Sequence, residues 1–188
     1  SVSSMRLALL AGVMGLGFSC TAQAQNVDKL IKNSEVFVSL GSADMGYSDS
    51  GLALRLGVDT PGIVPLGQVN IGGTAYYTHT SSSYKYNGYG DCSWDYSSNV
   101  ISAGPTLNFP VEKTGFTLQG RITASIGFLS SSAKCNGNSY GYSADSGTDL
   151  HIGLGLGAKY QIDKQFSVRA DWDDWGYSTL TVGVGYKF

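Results

Sequence analysis

Ionisable side chains stand among the small or polar residues that alternate with apolar ones in several segments, so they would lie on the non-apolar face of an extended strand. The candidates for chemistry are Arg55, Asp59, Arg121, Lys159, Arg169 and Asp171, with Glu35 as a further member of the same kind. Both signs are present, and an unpaired buried ion costs several kcal/mol. We therefore expect an internal salt-bridge network. The alternative is a proton or ion path gated by an arginine–carboxylate pair.

Cys92 and Cys135 lie in two long polar segments, 80–93 and 130–146. If both segments lie at the same end of the fold in an oxidising compartment, the two cysteines are expected to form a disulfide. The loop-entropy account assigns it about 4 kcal/mol. Two free thiols are the alternative. A metal site is disfavoured because neither segment contains a histidine.

The same two segments place aromatic residues among Ser, Asn and Gly. This mixture is typical of recognition surfaces, because Tyr contributes contact area at low entropic cost. The candidates are Tyr84, Tyr86, Tyr89, Tyr140 and Tyr142, together with Trp94 directly after the first segment. The alternative is that Tyr and Ser only form a soluble surface that faces sugars.

The elements that must position these residues are strands. From Tyr177 to Phe188 the apolar residues occupy one face and the small or polar residues the other, with period two throughout. Seven further segments alternate in the same way. The predicted strands cover about 34–43, 51–59, 66–79, 94–109, 116–129, 147–162, 166–172 and 177–188. A turn is expected at 60–62, and a bulge at Pro105, which cannot donate a ladder hydrogen bond.

The connections between these strands alternate in length. Longer loops are expected at 45–50, 80–93, 130–146 and 173–176, and the connections between them are short. Long loops at one end and short turns at the other are typical of membrane barrels. We predict an all-β fold, an eight-stranded antiparallel transmembrane up-and-down β-barrel with both termini on the short-turn side. Side chains fill a barrel of this size, so an open pore is disfavoured.

The composition agrees with a small membrane barrel. Only 14% of the 188 residues are charged, 26 are Gly and 12 are Tyr, whereas about a quarter of residues in soluble domains are charged. The formal net charge of −2 gives no sign of a nucleic-acid partner. A Gly-rich soluble β-protein is the alternative.

The first residues have the pattern of an export signal. Met5 would be the initiator, followed by Arg6, an apolar run over 7–18 and a cleavage site at 22–24. We predict an upstream remnant and cleaved signal peptide over 1–24, a periplasmic lead over 25–33 and the barrel over 34–188. Cys20 would instead indicate a lipoprotein, but the residues before it lack the usual Leu.

The export signal, the alternating strands, the segment GAKYQIDKQFSVRADW (157–172) and the ending VGVGYKF resemble the small outer-membrane barrels. That family includes the OmpA transmembrane domain, OmpX and the opacity-type surface proteins. The resemblance implies the outer membrane of a Gram-negative bacterium, with its lipid and lipopolysaccharide as partners and an extracellular or host ligand at the loops. It also implies that Tyr186 and Phe188 form the signal read by the barrel-assembly machinery. No cofactor, metal or nucleic acid is expected.

A weaker resemblance raises an enzymatic alternative. Some eight-stranded outer-membrane barrels are lipid A deacylases with a His-x-Ser pair on the outer wall, and His79-Thr80-Ser81 has that spacing. The flanking pattern of that class is missing, its pair lies later in the chain, and no partnering acid is evident.

Three further ionisable residues are assigned structural places. His151 is expected to face inward and join the interior network. Asp173 and Asp174 are expected to be solvated in the last loop, although two adjacent acids could bind a cation.

The sequence thus predicts a non-enzymatic outer-membrane surface protein, which serves envelope integrity or adhesion and recognition through disulfide-tied extracellular loops. A narrow channel for ions or small solutes is the alternative, and a lipid A-modifying enzyme is the third interpretation.

Overall fold

The computed structural model describes residues 31–44, 50–86, 91–135, 138–142 and 149–188, with the backbone alone at 86, 138–142 and 149. The predicted signal peptide, residues 25–30 of the predicted lead and residues 45–49 of the first predicted loop lie outside the described residues. Residues 31–33 are helical. In the described part of the chain, no helix has the length and apolar character to cross a membrane.

Nine antiparallel strands make up most of the described chain. They are β1 (Glu35–Asp44), β2 (Gly51–Leu66), β3 (Val69–Tyr86), β4 (Cys92–Pro110), β5 (Phe116–Cys135), β6 (Asn138–Tyr142), β7 (Asp149–Gln161), β8 (Phe166–Asp174) and β9 (Ser178–Lys187). Their hydrogen-bonded order is β4-β3-β2-β1-β9-β8-β7-β5-β6, and β4 also pairs with β5. The last pairing closes eight strands into a barrel and leaves the short β6 beside the end of β5. The predicted fold class is confirmed.

The barrel is apolar outside and polar inside, because successive side chains of each strand point to opposite faces. On β9, Leu180, Val182 and Val184 are 57%, 62% and 52% exposed, whereas Thr179 and Thr181 are buried. Large apolar side chains are exposed on each of the eight barrel strands. Such a belt is stable where lipid surrounds it, as in outer-membrane barrels.

Four strand segments form an extension at the end where β3 joins β4, most of it beyond the ends of β2 and β7 in the barrel wall. They are 80–86, 92–98, 129–135 and 138–142, and we call them the hairpin extension. The prediction of loops over 80–93 and 130–146 is therefore wrong for much of both segments. These segments lack an apolar face, so the alternation rule does not identify them as strands. Their backbones nevertheless pair across four strands, as in Tyr84↔Trp94, Trp94↔Ala133 and Ala133↔Tyr140.

The register shift predicted at Pro105 lies elsewhere. The ladder of β4 with β3 keeps one register through Gly73↔Pro105, and its ladder with β5 resumes unshifted at Thr106↔Arg121. The shift occurs in β2, between Thr60 and Val64. The turn predicted at 60–62 is wrong as well, because β2 continues through Pro61 as far as Leu66.

Short turns connect the strands at the opposite end, which we call the short-turn end. Gly67 and Gly115 have φ of 71° and 76° there, a conformation that favours glycine. In the turn between β7 and β8, the backbone N–H groups of Phe166 and Gln165 each donate to Asp163 Oδ1 at 2.7 Å. These bonds hold the pKa of the Asp163 carboxyl below its usual range.

Candidate functional site

A network of ion pairs fills the interior of the barrel. It joins four cations to four anions: Arg55, Arg121, Lys159 and Arg169 with Glu35, Asp59, Asp171 and Asp173. The formal charges within this set cancel. Seven of the eight side chains are at most 3% exposed, and only Lys159 reaches 15%. Charges buried so deeply are stable only when they are paired and hydrogen-bonded.

Asp173 is the carboxylate nearest the hairpin extension and joins two arginines. Arg121 binds it in a bidentate way, with Nε 2.7 Å from Oδ1 and Nη2 2.8 Å from Oδ2. Arg55 Nη1 donates to Asp173 Oδ2, and the Tyr76 hydroxyl donates to Oδ1 at 3.2 Å. One carboxylate on β8 therefore pairs with arginines on β2 and β5, which reach it from either side of the barrel.

Asp171 continues the network toward the short-turn end. It accepts from Arg121 Nη1 at 2.8 Å and from Arg169 Nε at 2.7 Å. Arg169 Nη1 then donates to Asp59 Oδ2 at 2.8 Å and lies 3.8 Å from Glu35 Oε1. The network is thus continuous along the barrel axis, from Arg55 near the hairpin extension to Asp59 and Glu35 near the short-turn end.

Aromatic rings cover the guanidinium groups of the network. Arg55 Cζ lies 4.5 Å from the ring centroid of Tyr76 and 5.4 Å from that of Trp175. Arg169 Cζ lies 3.7 Å from the Phe37 centroid. Cation–π contacts of this kind strengthen when water is excluded. The rings and ion pairs together fill the lumen with side chains.

Glycine on β7 leaves room for the network. A Cβ at Gly155 would collide with the Asp173 carboxylate and the Arg121 guanidinium. Gly therefore alternates with Leu on this strand because a larger side chain on its inner face would collide with the network.

Several buried polar atoms beside the network have no hydrogen-bond partner among the described residues. They include Glu35 Oε1, Ser39 Oγ, Ser167 Oγ and Thr181 Oγ1, all on β1, β8 or β9. Buried polar atoms of this kind are commonly satisfied by ordered water.

The structure brings together all six predicted interior residues and Glu35. Asp173 was missed, because the seventh predicted strand stopped at Trp172, and its assignment as a solvated loop residue is wrong. Continuing the alternation of Arg169 and Asp171 by one more step would have found it. His151 has inward parity but is exposed, so its predicted place in the buried network is wrong.

A disulfide fixes the hairpin extension. Cys92 and Cys135 are bonded, and they are direct cross-strand partners on β4 and β5. Tyr84 and Trp94 are cross-strand partners beneath it, with ring centroids 6.1 Å apart. Tyr86, Tyr140 and Tyr142 are placed on strands by their backbone, and Tyr89 lies outside the described residues.

Exposed aromatic residues gather at the short-turn end. Tyr186 packs against Phe166 and Phe188, with centroids 5.3 and 6.0 Å apart. Phe116 and Tyr160 form a second pair at 4.7 Å. Aromatic girdles of this kind mark the interface levels of membrane barrels.

His79 lies on the outer face of β3 with an amide partner. Its Nδ1 is 2.8 Å from Asn99 Oδ1, which also accepts from the Tyr77 hydroxyl at 2.6 Å. Ser81 is exposed on the same face. The side chain that contacts His79 is thus an asparagine, Asn99, which the sequence pattern did not identify.

Comparison with known proteins agrees with this geometry. No curated protein matches the sequence. Among solved structures, Ail, the attachment invasion locus protein of Yersinia pestis, matches with a TM-score of 0.56 and 15% identity over 84% of this chain and 99% of that chain. The structure of Ail with the heparin analogue sucrose octasulfate matches with a TM-score of 0.53 and 16% identity, over 82% of this chain and 97% of that chain. Neisserial surface protein A matches with a TM-score of 0.47 and 16% identity, over 82% of this chain and 96% of that chain.

A family model described as the outer membrane protein beta-barrel domain matches residues 8–188, which is nearly the whole sequence. The chain belongs to the outer membrane protein β-barrel family.

Proposed function

We propose that the protein is a non-enzymatic surface protein of the Gram-negative outer membrane, which binds a ligand outside the cell for adhesion or envelope integrity. The observation that carries this proposal is the disulfide between Cys92 and Cys135. It joins two hairpins into one rigid sheet above a barrel that is filled with ion pairs. A rigid, aromatic surface loses little entropy when it binds.

The proposed orientation puts the hairpin extension outside the cell and the short turns in the periplasm. Short periplasmic turns and longer extracellular segments are the rule in such barrels. The apolar belt would contact membrane lipid and lipopolysaccharide. Tyr186 and Phe188, at the periplasmic end of β9, would then be available to the barrel-assembly machinery.

Ail, an attachment protein by name, is similar in fold at 15% identity. This likeness supports the architecture, while the tyrosine and tryptophan of the extension support ligand binding by this chain. We propose that Tyr84 and Trp94 contact the ligand, with Tyr86, Tyr89, Tyr140 and Tyr142 as further candidates.

A binding assay tests the proposal. The protein is reconstituted in lipid nanodiscs and applied to a panel of host-surface glycans and matrix proteins. Replacing Tyr84 and Trp94 by Ala is expected to reduce any specific binding at least tenfold. Tyr160→Ala, which removes a tyrosine at the short-turn end, is the control. Equal loss in both variants, or no binding by the folded protein, would contradict the proposal.

A narrow channel is the second candidate, and the buried polar atoms without partners favour it. Ser39, Ser167 and Thr181 lie along one wall, where water molecules could pass the ion pairs. Single-channel recording separates the two candidates. We expect no discrete current from the folded protein, and a steady current would favour the channel.

We propose no catalytic role for His79 and Ser81. Asn99 Oδ1 is engaged by both Tyr77 and His79, which suits a structural group at the edge of the membrane. Replacing His79 or Ser81 by Ala should leave lipid A acylation unchanged in cells that express the protein. A change in acylation that depends on both residues would favour the enzyme.

A further inference from the structure

The hairpin extension has two faces of different chemistry. Alternation places one set of its side chains on the face that continues from the barrel lumen. That set forms two neighbouring cross-strand rows, Ser82↔Tyr96↔Ser131 and Tyr84↔Trp94↔Ala133. We call these two rows the inner face of the extension. Each of their six described side chains is uncharged at neutral pH.

The charged residues of the extension lie on its outer face. The rows there are Ser83↔Asp95↔Ser132 and Lys85↔Ser93↔Lys134. Asp95 and both lysines are exposed. A sulfated, phosphorylated or sialylated ligand would therefore find its cationic partners on the outer face and not in the two described rows of the inner face. Charge complementarity thus favours an uncharged ligand for the inner face.

Three aromatic rings dominate the inner face, but their exposed area is small. Tyr84 is 38% exposed, and Trp94 and Tyr96 are more buried than Tyr84. Since an aromatic side chain can bury about 150 to 250 Å², the exposed parts of the three rings together stay below roughly 300 Å². A stable protein interface takes about 800 Å² from each partner. The inner face therefore matches a ligand of one or two small rings better than the surface of a protein.

A pyranose sugar has the chemistry that complements this face. Its C–H groups form an apolar surface that can pack on aromatic rings, and its hydroxyls lie around the rim. Tyr84 and Trp94 lie side by side, with ring centroids 6.1 Å apart and planes 36° apart. Tyr96 and Ser131 are in the next row and partly exposed. A hydroxyl has one donor and two acceptor sites, so each can bond a sugar hydroxyl in addition to a partner within the protein.

The strands that carry these rings are held in place at both ends. The disulfide between Cys92 and Cys135 lies in the row directly beyond Trp94 and joins its strand to the neighbouring one. Nearer the barrel, Ser98 Oγ lies 3.3 Å from the Tyr177 hydroxyl. A surface that is already fixed loses less entropy on binding. This matters most for a small ligand that makes few contacts.

We propose that Tyr84 and Trp94 form a stacking platform for an uncharged pyranose sugar, presented by a glycan outside the cell. Tyr96 and Ser131 bond the hydroxyls of the sugar at the edge of the platform. This inference rests on the proposed function and adds to it the class of the ligand and the face that binds it.

The test uses the whole protein in lipid nanodiscs with matched pairs of oligosaccharides. One member of each pair contains only uncharged glucose, galactose, mannose or N-acetylhexosamine units, and the other is its sulfated or sialylated counterpart. Saturation-transfer NMR detects binding, and calorimetry measures the affinity. We expect uncharged members to bind, with less than about a twofold loss of affinity as salt is raised. Binding of the charged members alone, or no binding of any uncharged member, overturns the proposal.

This inference and the proposed function fail in different ways. If the folded protein binds a matrix protein but no uncharged sugar, the ligand class is wrong and the proposed function stands. If it binds neither a sugar nor a matrix protein, both are wrong.

Variants at Trp94 separate ring stacking from apolar packing. Trp94→Phe keeps a flat ring and should bind the sugar within about threefold of the natural protein. Trp94→Leu keeps an apolar side chain without a ring and should lose at least about tenfold, as should Tyr84→Ala. The control is Lys85→Gln with Lys134→Gln, which changes only the outer face and should leave the affinity unchanged.

Equal affinities of the Phe and Leu variants would refute the platform. So would a loss in the lysine pair as large as that of Trp94→Leu. Variants are compared only after circular dichroism and a thiol assay show that they are folded with the disulfide intact.

Discussion

Asp173 holds the two halves of the ion network together, and replacing it by Asn tests whether the neutral set of charges stabilises the barrel. Its carboxylate accepts four hydrogen bonds, three from guanidinium groups and one from Tyr76. An Asn keeps one oxygen and puts an NH₂ group against arginine donors. It also leaves four buried cations with three anions. Removing one partner of a buried pair costs about 3 to 5 kcal/mol, and we expect Asp173→Asn to destabilise the barrel by that amount.

The neighbouring Asp174 is the matched control. It is exposed, and its Oδ1 accepts from Gly176 N, a bond that Asn can keep. We expect Asp174→Asn to change the free energy of unfolding by less than about 0.5 kcal/mol. The double variant Arg55→Gln with Asp173→Asn restores neutrality and should cost at least about 1 kcal/mol less than the sum of the single variants.

Urea unfolding in phospholipid vesicles, followed by tryptophan fluorescence, measures these differences. The slopes of the transitions must agree, so that a shift in the midpoint reports stability. If Asp173→Asn and Asp174→Asn lower the free energy of unfolding by the same small amount, the charge balance of the network does not stabilise the barrel. If the double variant is destabilised by the full sum of the two single variants, Arg55 and Asp173 are not coupled.

Reducing the disulfide, or replacing Cys92 and Cys135 by Ser, should loosen the hairpin extension without unfolding the barrel, because all eight barrel strands remain paired. Limited proteolysis should then cut only within the extension, and loss of the folded band on unheated gels would contradict the architecture. Gly155→Ala should destabilise the barrel, because its Cβ meets Arg121 and Asp173, whereas Gly120→Ala meets nothing within 4 Å and is the control; equal unfolding midpoints for the two would refute this packing. Asp163 has a lowered pKa, so its contribution to stability is complete above the ordinary value of 3.8 and is lost as pH falls through the folded value. The stability difference between the natural protein and Asp163→Asn should therefore shrink from pH 7 to pH 2, and an unchanged difference would exclude this carboxylate as its source.

The barrel and its interior charges could be predicted because they depend on a rule that acts locally. A strand next to lipid must alternate, and the parity of Arg55 or Arg169 within its strand decides that its side chain faces inward. This alternation can be recognised in a sequence only where one face of the strand is apolar. Segments such as 80–86, polar on both faces, therefore looked like loops, although their backbone hydrogen bonds make them strands.

The partners within the network could not be predicted. Arg55 and Asp173 are separated by 118 residues, and their contact depends on strand order, register and the room left by Gly155. The stagger of the strands also decides how high each residue lies in the barrel. This is why His151, with inward parity, is exposed at the rim, and why Asp173 is buried one step beyond the predicted end of its strand.

The pairing of β1 with β9 has a consequence for the order of events in assembly. These strands are the first and last of the barrel, and ten register pairs join them, from Glu35↔Lys187 to Asp44↔Ser178. Until they pair with each other, both strands are edges whose N–H and C=O groups lipid cannot satisfy.

The ion pairs of Arg55 with Asp173 and of Arg169 with Asp59 also connect residues on the two sides of this seam. A partly inserted chain would carry unpaired charges as well as open edges. Closure of the β1–β9 seam thus completes two things together, the hydrogen bonds of the two edge strands and the ion pairs that cross the lumen between β2 and β8.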